Sequence, residues 1–187
     1  MYYASVLQRL PRQCVLGTTA SPVGPLTLMV SDHGVHALLF DRQARQCAEG
    51  LQPFAEDPSH PVLALAGAQI AEYFAAERQS FDLPVVADGT DFQKRVWKVM
   101  AAVPYGHTAT YGDLGRQLGD TNLARAVGTE IGLNPVALIL PCHRIVARNT
   151  MAGFAGGTEV KRFLIDFEQQ PLWTSLELWN TPPSHNH

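Results

Sequence analysis

The sequence predicts an α+β fold, with a small N-terminal α/β domain over residues 1–88 and a mainly helical C-terminal domain over 89–187. Three observations predict it. The first 90 residues alternate β-rich apolar runs with Gly/Pro turns around one Ala-rich helical stretch. From Thr90 onward apolar residues recur at three- and four-residue steps. The chain has 187 residues, 46% hydrophobic and 17% charged, enough for one or two small domains whose core needs neither disulfides nor a structural metal.

In the first domain, Gly24-Pro25 precedes the run Leu26 to Val30, Ser31 to Gly34 supply turn chemistry, and Val35 to Phe40 resume the apolar pattern as the second arm of a hairpin. Pro53 to Pro61 reads as a surface loop. Leu63 to Glu77 reads as a helix with Leu65, Ile70, Tyr73 and Phe74 at helical spacing, and Phe81 to Val86 as a returning strand across Pro84. Ala87 to Thr90 is the expected joint between the domains.

In the second domain, Thr90 or Asp91 caps a helix through Phe92, Val96, Val99 and Met100 that Pro104 stops. Tyr105-Gly106 is a turn. Tyr111 to Leu118 is a short helix ended by Gly119, and another starts near Asn122. The pair is a helix-turn-helix candidate, although two packed helices also occur in many cores that never meet nucleic acid. In the second of them Ala124, Ala126, Gly128 and Gly132 leave a slim surface around one long cation, Arg125. Slimness serves close helix packing equally well. Val136 to Leu140 reads as a buried strand that ends at Pro141 and presents Cys142, His143 and Arg144, and Lys161 to Glu168 as a last helix. The stretch from Gln169, with Trp173 and Trp179, leads to a loose tail after Asn180.

Cysteines stand only at 14, 47 and 142, an odd and irregular set that argues against a disulfide framework and a CxxC-type zinc site. No metal and no cofactor are expected. The start lacks a signal-peptide core and no apolar run approaches a bilayer span, so the expectation is a cytoplasmic monomer without membrane contact. The formal net charge of -3 argues weakly against nucleic acid. Its distribution matters more: residues 1–90 carry five Lys plus Arg against nine Asp plus Glu, whereas 91–168 carry nine against seven. Only the second half suits DNA.

Taken alone, Cys142 is either a small core hydrophobe or a thiol activated by its cationic and hydrogen-bonding neighbours. Side chains of consecutive residues on a strand point to opposite faces, so a water or a turn must lie between Cys142 and His143. Pro141-Cys142-His143-Arg144-Ile145-Val146 resembles the active-site signature of the alkylguanine-DNA alkyltransferases, also called methylated-DNA-protein-cysteine methyltransferases. Phe92-Gln93, Val96-Trp97, Pro104-Tyr105-Gly106, Thr110-Tyr111-Gly112, Arg125-Ala126-Val127-Gly128, Asn134-Pro135, Gly153, Gly156-Gly157, Lys161 and Glu168 stand in the same family order. Ser21-Pro22 with Gly24-Pro25-Leu26 is similar to the family's ribonuclease-H-like N-terminal α/β domain, so the resemblance covers nearly the whole chain.

That resemblance implies the following. Cys142 takes an alkyl group from the O6 oxygen of a guanine rotated out of duplex DNA and keeps it, without turnover. His143 is its base through a water, and Glu168 orients His143. Tyr111 hydrogen-bonds the flipped base and supplies a proton, while Asn134 braces the helix-turn-helix against the active-site strand. Arg125 fills the gap in the stack, and Ala126 and Gly128 keep its helix slim enough for a minor groove. Val146, Phe154, Gly156 and Gly157 wall the guanine pocket, although the two glycines also suit plain turns.

The chain departs from the family pattern in places. The 147–152 loop is one residue short and lacks its turn glycine, Phe154 replaces a tyrosine, Leu123 is bulky, and Glu130 must point away from phosphates. Three other readings compete with this one: a damage-binding protein without transfer, a Cys-His hydrolase with turnover, and a transcription factor. The first is disfavoured by Cys142 itself, the second by Arg125 on its slim helix, the third by the Pro141-Cys142-His143-Arg144 site.

Overall fold

A computed structural model describes residues 4–148 and 153–170 and shows an α+β fold. Most of the 147–152 loop and the segment with Trp173, Trp179 and the tail after Asn180 lie outside the described residues. After a first turn of helix α1 (Ala4–Leu7), strands β1 (Val15–Thr19), β2 (Leu26–Ser31) and β3 (Gly34–Phe40) form an antiparallel meander in that order. The expected hairpin is β2–β3, with Leu26 opposite Phe40 and a register shift at Met29/Val30. The sequence reading did not foresee β1, because Val15 to Thr19 mixes Gly and Thr and lacks a clear alternation.

Both faces of β2 and β3 are buried. Leu26, Leu28, Leu38 and Phe40 pack into the main core, whereas Met29, Ala37 and Leu39 face smaller clusters built on Cys14, Cys47 and Leu7. This two-sided cover explains the nearly continuous apolar runs. Helices α2 (Asp41–Gln46) and α3 (Ala48–Leu51) supply part of the second layer; they are polar and short, and the sequence reading passed over them.

Helix α4 (Pro61–Phe74) covers the other face. It begins earlier than expected because Pro61 suits the first helical position and the His60 ring accepts from the Val62 N–H at 3.2 Å. The strand expected over Phe81 to Val86 does not form beyond a bridge of Val85 to Val35. Gln69 explains why: its side chain bonds both the N–H and the C=O of Asp82, each at 2.8 Å, so this backbone is paired to a helix instead of a sheet.

Gly34 opens β3 with φ 135, and a Cβ there would stand 2.2 Å from the Pro84 oxygen. Both conformation and space demand glycine. Gly34→Ala is expected to cost about 3 kcal/mol, read as a lowered midpoint in urea unfolding.

Helix α5 (Asp91–Ala101) carries a capping box: Thr90 Oγ1 accepts from the Gln93 N–H, and Gln93 Oε1 accepts from the Thr90 N–H at 2.8 Å. A two-residue strand β4 (Ala109–Thr110) leads into α6 (Tyr111–Gln117), a 3-10 turn (Thr121–Leu123) and α7 (Ala124–Gly132), so the second helix of the pair starts two residues later than expected. A second 3-10 turn (Cys142–Arg144), strand β5 (Ile145–Val146), parallel to β4, and helix α8 (Thr158–Gln169) complete the described chain.

The strand expected over Val136 to Leu140 is absent. Val136 bridges to Leu38 on the β3 edge, then the chain curls: Leu138 takes φ 68, and the Leu140 N–H returns to the Val136 oxygen at 2.9 Å. Val136, Ala137 and Leu138 are buried and Ile139 and Leu140 half-buried, while the backbone of the curl bonds locally and to β3, which closes that sheet edge. One hydrophobic cluster runs through both halves, joining Leu38 and Ile70 to Met100, Val127, Val136 and Phe167.

Candidate active site

The curl delivers Cys142 to the start of a 3-10 turn rather than to the end of a strand, which corrects the sequence reading. Three buried residues follow one another in this turn: Cys142, His143 and Arg144 are 8%, 0% and 7% exposed. Asn134, just past α7, holds the curl from outside: its amide donates to the Leu140 oxygen at 2.8 Å, and its Oδ1 accepts from the Val136 N–H at 3.1 Å. The helix pair and the cysteine turn are therefore fastened by one side chain.

His143 has its ring nitrogens in different surroundings. Nε2 lies 2.8 Å from Glu168 Oε1, and Nδ1 is buried without a hydrogen-bond partner. Facing a carboxylate, the neutral ring keeps its proton on Nε2 and leaves the Nδ1 lone pair unused. Burial pushes the imidazole below its ordinary value, more than Glu168 pulls it up.

Glu168 is 4% exposed at the end of α8. Arg144 straddles it, with Nε 2.9 Å from Oε2 and Nη2 3.0 Å from Oε1, and donates Nη1 to the Val103 oxygen at 2.8 Å. The Gly106 N–H donates to Oε2 at 3.2 Å, and the Tyr73 hydroxyl to Oε1 at 2.7 Å. Burial raises the carboxyl, but His143 and Arg144 outweigh it and hold it at about 2. Glu168 is thus ionised and His143 neutral near pH 7.

For Cys142 the balance runs the other way. Burial pushes the thiol up, and the Asn134 hydrogen bond and the charge of Lys161 only partly offset it. The resting side chain is a thiol, which needs a base before it can attack. Lys161, 1% exposed, donates Nζ to the Ile145 oxygen and sits 5.8 Å from the Phe154 ring centre.

A narrow cleft opens on Cys142, walled by Tyr111, Gly128, Phe154, Gly156 and Lys161 together with Phe40 from the first domain. A Cβ on Gly128 would lie 3.6 Å from the Tyr111 ring, so a small residue here lets α7 approach Tyr111 closely. Burial, and then Cys142, raise the Tyr111 phenol, which stays protonated. The Phe154 ring packs tilted against Phe40, with centroids 5.5 Å apart. Val146 and Gly157 do not line this cleft: Val146 pairs with Thr110, and Gly157 stands before α8 with φ 99.

Arg125 lies away from the cleft, exposed on α7, with Ala126 beside it half-buried while Val127 and Ile131 face inward. Glu130 turns to α5, where its carboxylate accepts from Gln93 at 2.9 Å and its backbone oxygen accepts from the Trp97 indole at 2.9 Å. That explains an acid in this helix. Cys14 and Cys47 are free and buried, and burial raises both thiols.

The sequence pattern does not show what Arg144 and Lys161 bind, although a buried cation beside a candidate Cys-His pair is itself a signal for a hidden carboxylate. Nothing in the sequence pointed from Tyr73 to Glu168. Among the described residues no group of three or more His, Cys, Asp or Glu is placed to hold a metal ion.

Residues 14–87 match the ribonuclease-like domain of 6-O-methylguanine DNA methyltransferase, and residues 91–170 match the DNA-binding domain of the same family. The methylated-DNA–protein-cysteine methyltransferase of Mycobacterium tuberculosis is 40% identical over 167 residues, covering 87% of this chain and 97% of that one. Its counterpart from Methanosarcina acetivorans is 35% identical over 149 residues, covering 79% and 94%. The structure of Mycobacterium tuberculosis OGT in complex with DNA superposes with a TM-score of 0.73 at 37% identity, covering 87% of this chain and 98% of that one. With both domain matches in order and this identity over nearly all of the relatives' length, the chain belongs to the 6-O-methylguanine DNA methyltransferase family.

Proposed function

We propose that this protein is a methylated-DNA–protein-cysteine methyltransferase, which repairs duplex DNA by moving a methyl group from the O6 oxygen of guanine to the sulfur of Cys142, once per molecule. The observation that carries this reading is the His143 ring, with Nε2 held by an ionised Glu168 and a buried Nδ1 left unpartnered next in sequence to a protonated thiol.

His143 Nδ1 takes the Cys142 proton through a water, and Glu168 stabilises the imidazolium that forms. The thiolate attacks the methyl carbon in line with the departing oxygen: the S–C bond forms, the C–O6 bond breaks, and its electron pair stays on the guanine. The Tyr111 phenol, protonated and in the same cleft, meets that developing charge with a proton. Asn134 keeps the turn that presents the sulfur, and Phe154 and Gly156 wall the base. A thioether is a poor leaving group, so the protein is consumed.

Cys142 is 8% exposed, beyond reach of a base stacked in a duplex. The damaged nucleotide therefore rotates out, and Arg125, on the exposed face of α7 with Ala126 and Gly128 around it, enters the vacated space from the minor groove. A domain division at 88/89 fits the Thr90 cap that starts α5. A monomer fits a surface on which, among the described residues, Leu65 is the single exposed large hydrophobic. Three free thiols fit the cytoplasm.

The test is peptide mass analysis after incubation with duplex DNA containing O6-methylguanine. The expected result is one methyl group on the Cys142 peptide and at most one per molecule. Methyl on another peptide, or repeated turnover, would overturn the proposal.

A further inference from the structure

Glu168 takes hydrogen bonds from both halves of the molecule. His143, Arg144 and Gly106 reach it from the C-terminal half, and the Tyr73 hydroxyl reaches it from α4 in the N-terminal half. The Tyr73 ring is 0% exposed and packs against Phe74, Phe81, Tyr105 and Phe167 at centroid distances of 5.0 to 6.0 Å. Phenylalanine would fill that aromatic nest equally well. The packing accounts for the ring but not for the hydroxyl, whose 2.7 Å bond falls on Oε1, the carboxylate oxygen that also serves His143.

We propose that Tyr73 is a positioning residue for methyl transfer: its hydroxyl reaches across the junction, shares Glu168 Oε1 with His143, and so sets how strongly the carboxylate holds the imidazole. The proposal rests on the reading of His143 as the base. A carboxylate oxygen spreads its charge over its donors, and on Oε1 these are the phenol, the imidazole and Arg144 Nη2. Removing the phenol leaves more charge for the imidazole. Burial, and next the Glu168 charge, push the phenol well above its ordinary value, so it stays a neutral donor wherever the protein is folded.

The other groups facing this pair are Arg144 and Lys161, whose charges oppose protonation of His143, and Tyr105, whose ring lies under the Arg144 guanidinium at 5.7 Å. All remain in Tyr73→Phe. The variant's His143 therefore becomes easier to protonate. Transfer needs the neutral ring, so its acid limb moves to higher pH.

The experiment uses full-length protein. Single-turnover methyl transfer from duplex DNA containing O6-methylguanine is measured across pH, and the His143 Nε2–H resonance is followed by NMR in the unreacted protein. In Tyr73→Phe the acid limb is expected to move up by about half a pH unit and the resonance to move downfield. Phe81→Leu, which thins the same aromatic nest, is expected to move neither. A rate lowered by one factor at every pH with an unmoved resonance, or the same shifts in Phe81→Leu, would reduce Tyr73 to packing. An acid limb that persists in His143→Gln would overturn His143 as the base, while the resonance still decides whether Tyr73 tunes the Glu168–His143 bond.

Discussion

Replacing Cys142 by serine is expected to abolish methyl acceptance, with the transfer rate falling at least about 10⁴-fold. A serine hydroxyl fits the thiol's place at the head of the 3-10 turn, so Asn134, Lys161 and the curl before them keep their partners. What changes is the nucleophile. Even with burial raising it, a thiol yields its proton far more readily than an alcohol, and sulfur attacks a saturated carbon better than oxygen does. DNA affinity is expected to stay within about twofold, because the contacts proposed for DNA come from α7 and the cleft walls rather than from the sulfur. Labelled methyl transfer and gel-shift titration together check this. A serine variant that still gains methyl would place the acceptor elsewhere.

How much of this was readable beforehand varied with how local the determining physics is. The cap of α5 and the β2–β3 hairpin follow from short-range chemistry; the hairpin stands where expected, and of the two expected caps, Thr90 and Asp91, it is Thr90 that serves, with Gln93 closing a box the pattern did not suggest. Val136 to Leu140 reads as a strand because five apolar residues satisfy any buried conformation. The structure curls them, since the β3 edge offers a bridge only near Val136 and Leu138 turns left-handed. Phe81 to Val86 fails as a strand through one side chain, Gln69, thirteen residues earlier. At the site, the Cys142-His143-Arg144 run was visible as chemistry. That Glu168 joins it was implied only by resemblance, and that Tyr73 joins it was invisible, because a tyrosine on the apolar stripe of α4 looks like any core aromatic. The glycine-poor loop at 147–152 lies mostly outside the described residues, and only Phe154 of that departure can be placed, against Phe40 and under Lys161.

Glu168→Gln is expected to destabilise the fold by about 3–5 kcal/mol and to slow methyl transfer by about 10²- to 10³-fold, although the side chain keeps its shape. The hydrogen-bond geometry dictates this. Oε2 accepts from Arg144 Nε and the Gly106 N–H, and Oε1 from Tyr73, His143 and Arg144 Nη2. An amide nitrogen at either position sets a donor against donors. With the nitrogen at Oε2, Arg144 and Gly106 lose acceptors; with it at Oε1, Tyr73 and His143 lose theirs. In both cases the Arg144 guanidinium, 7% exposed, loses its counter-ion while staying buried. The pH dependence separates this cause from general loosening. Glu168 is held at about 2 against an ordinary 4.5, so in the parent it contributes stability that is present above pH 4.5 and is lost as pH falls towards 2. Glutamine does not titrate, and the variant is expected to lack that part of the acid loss. Urea unfolding of both proteins at a series of pH values from neutral downward measures the difference. Stability curves that run parallel into acid would mean that Glu168 is not the counter-ion of Arg144.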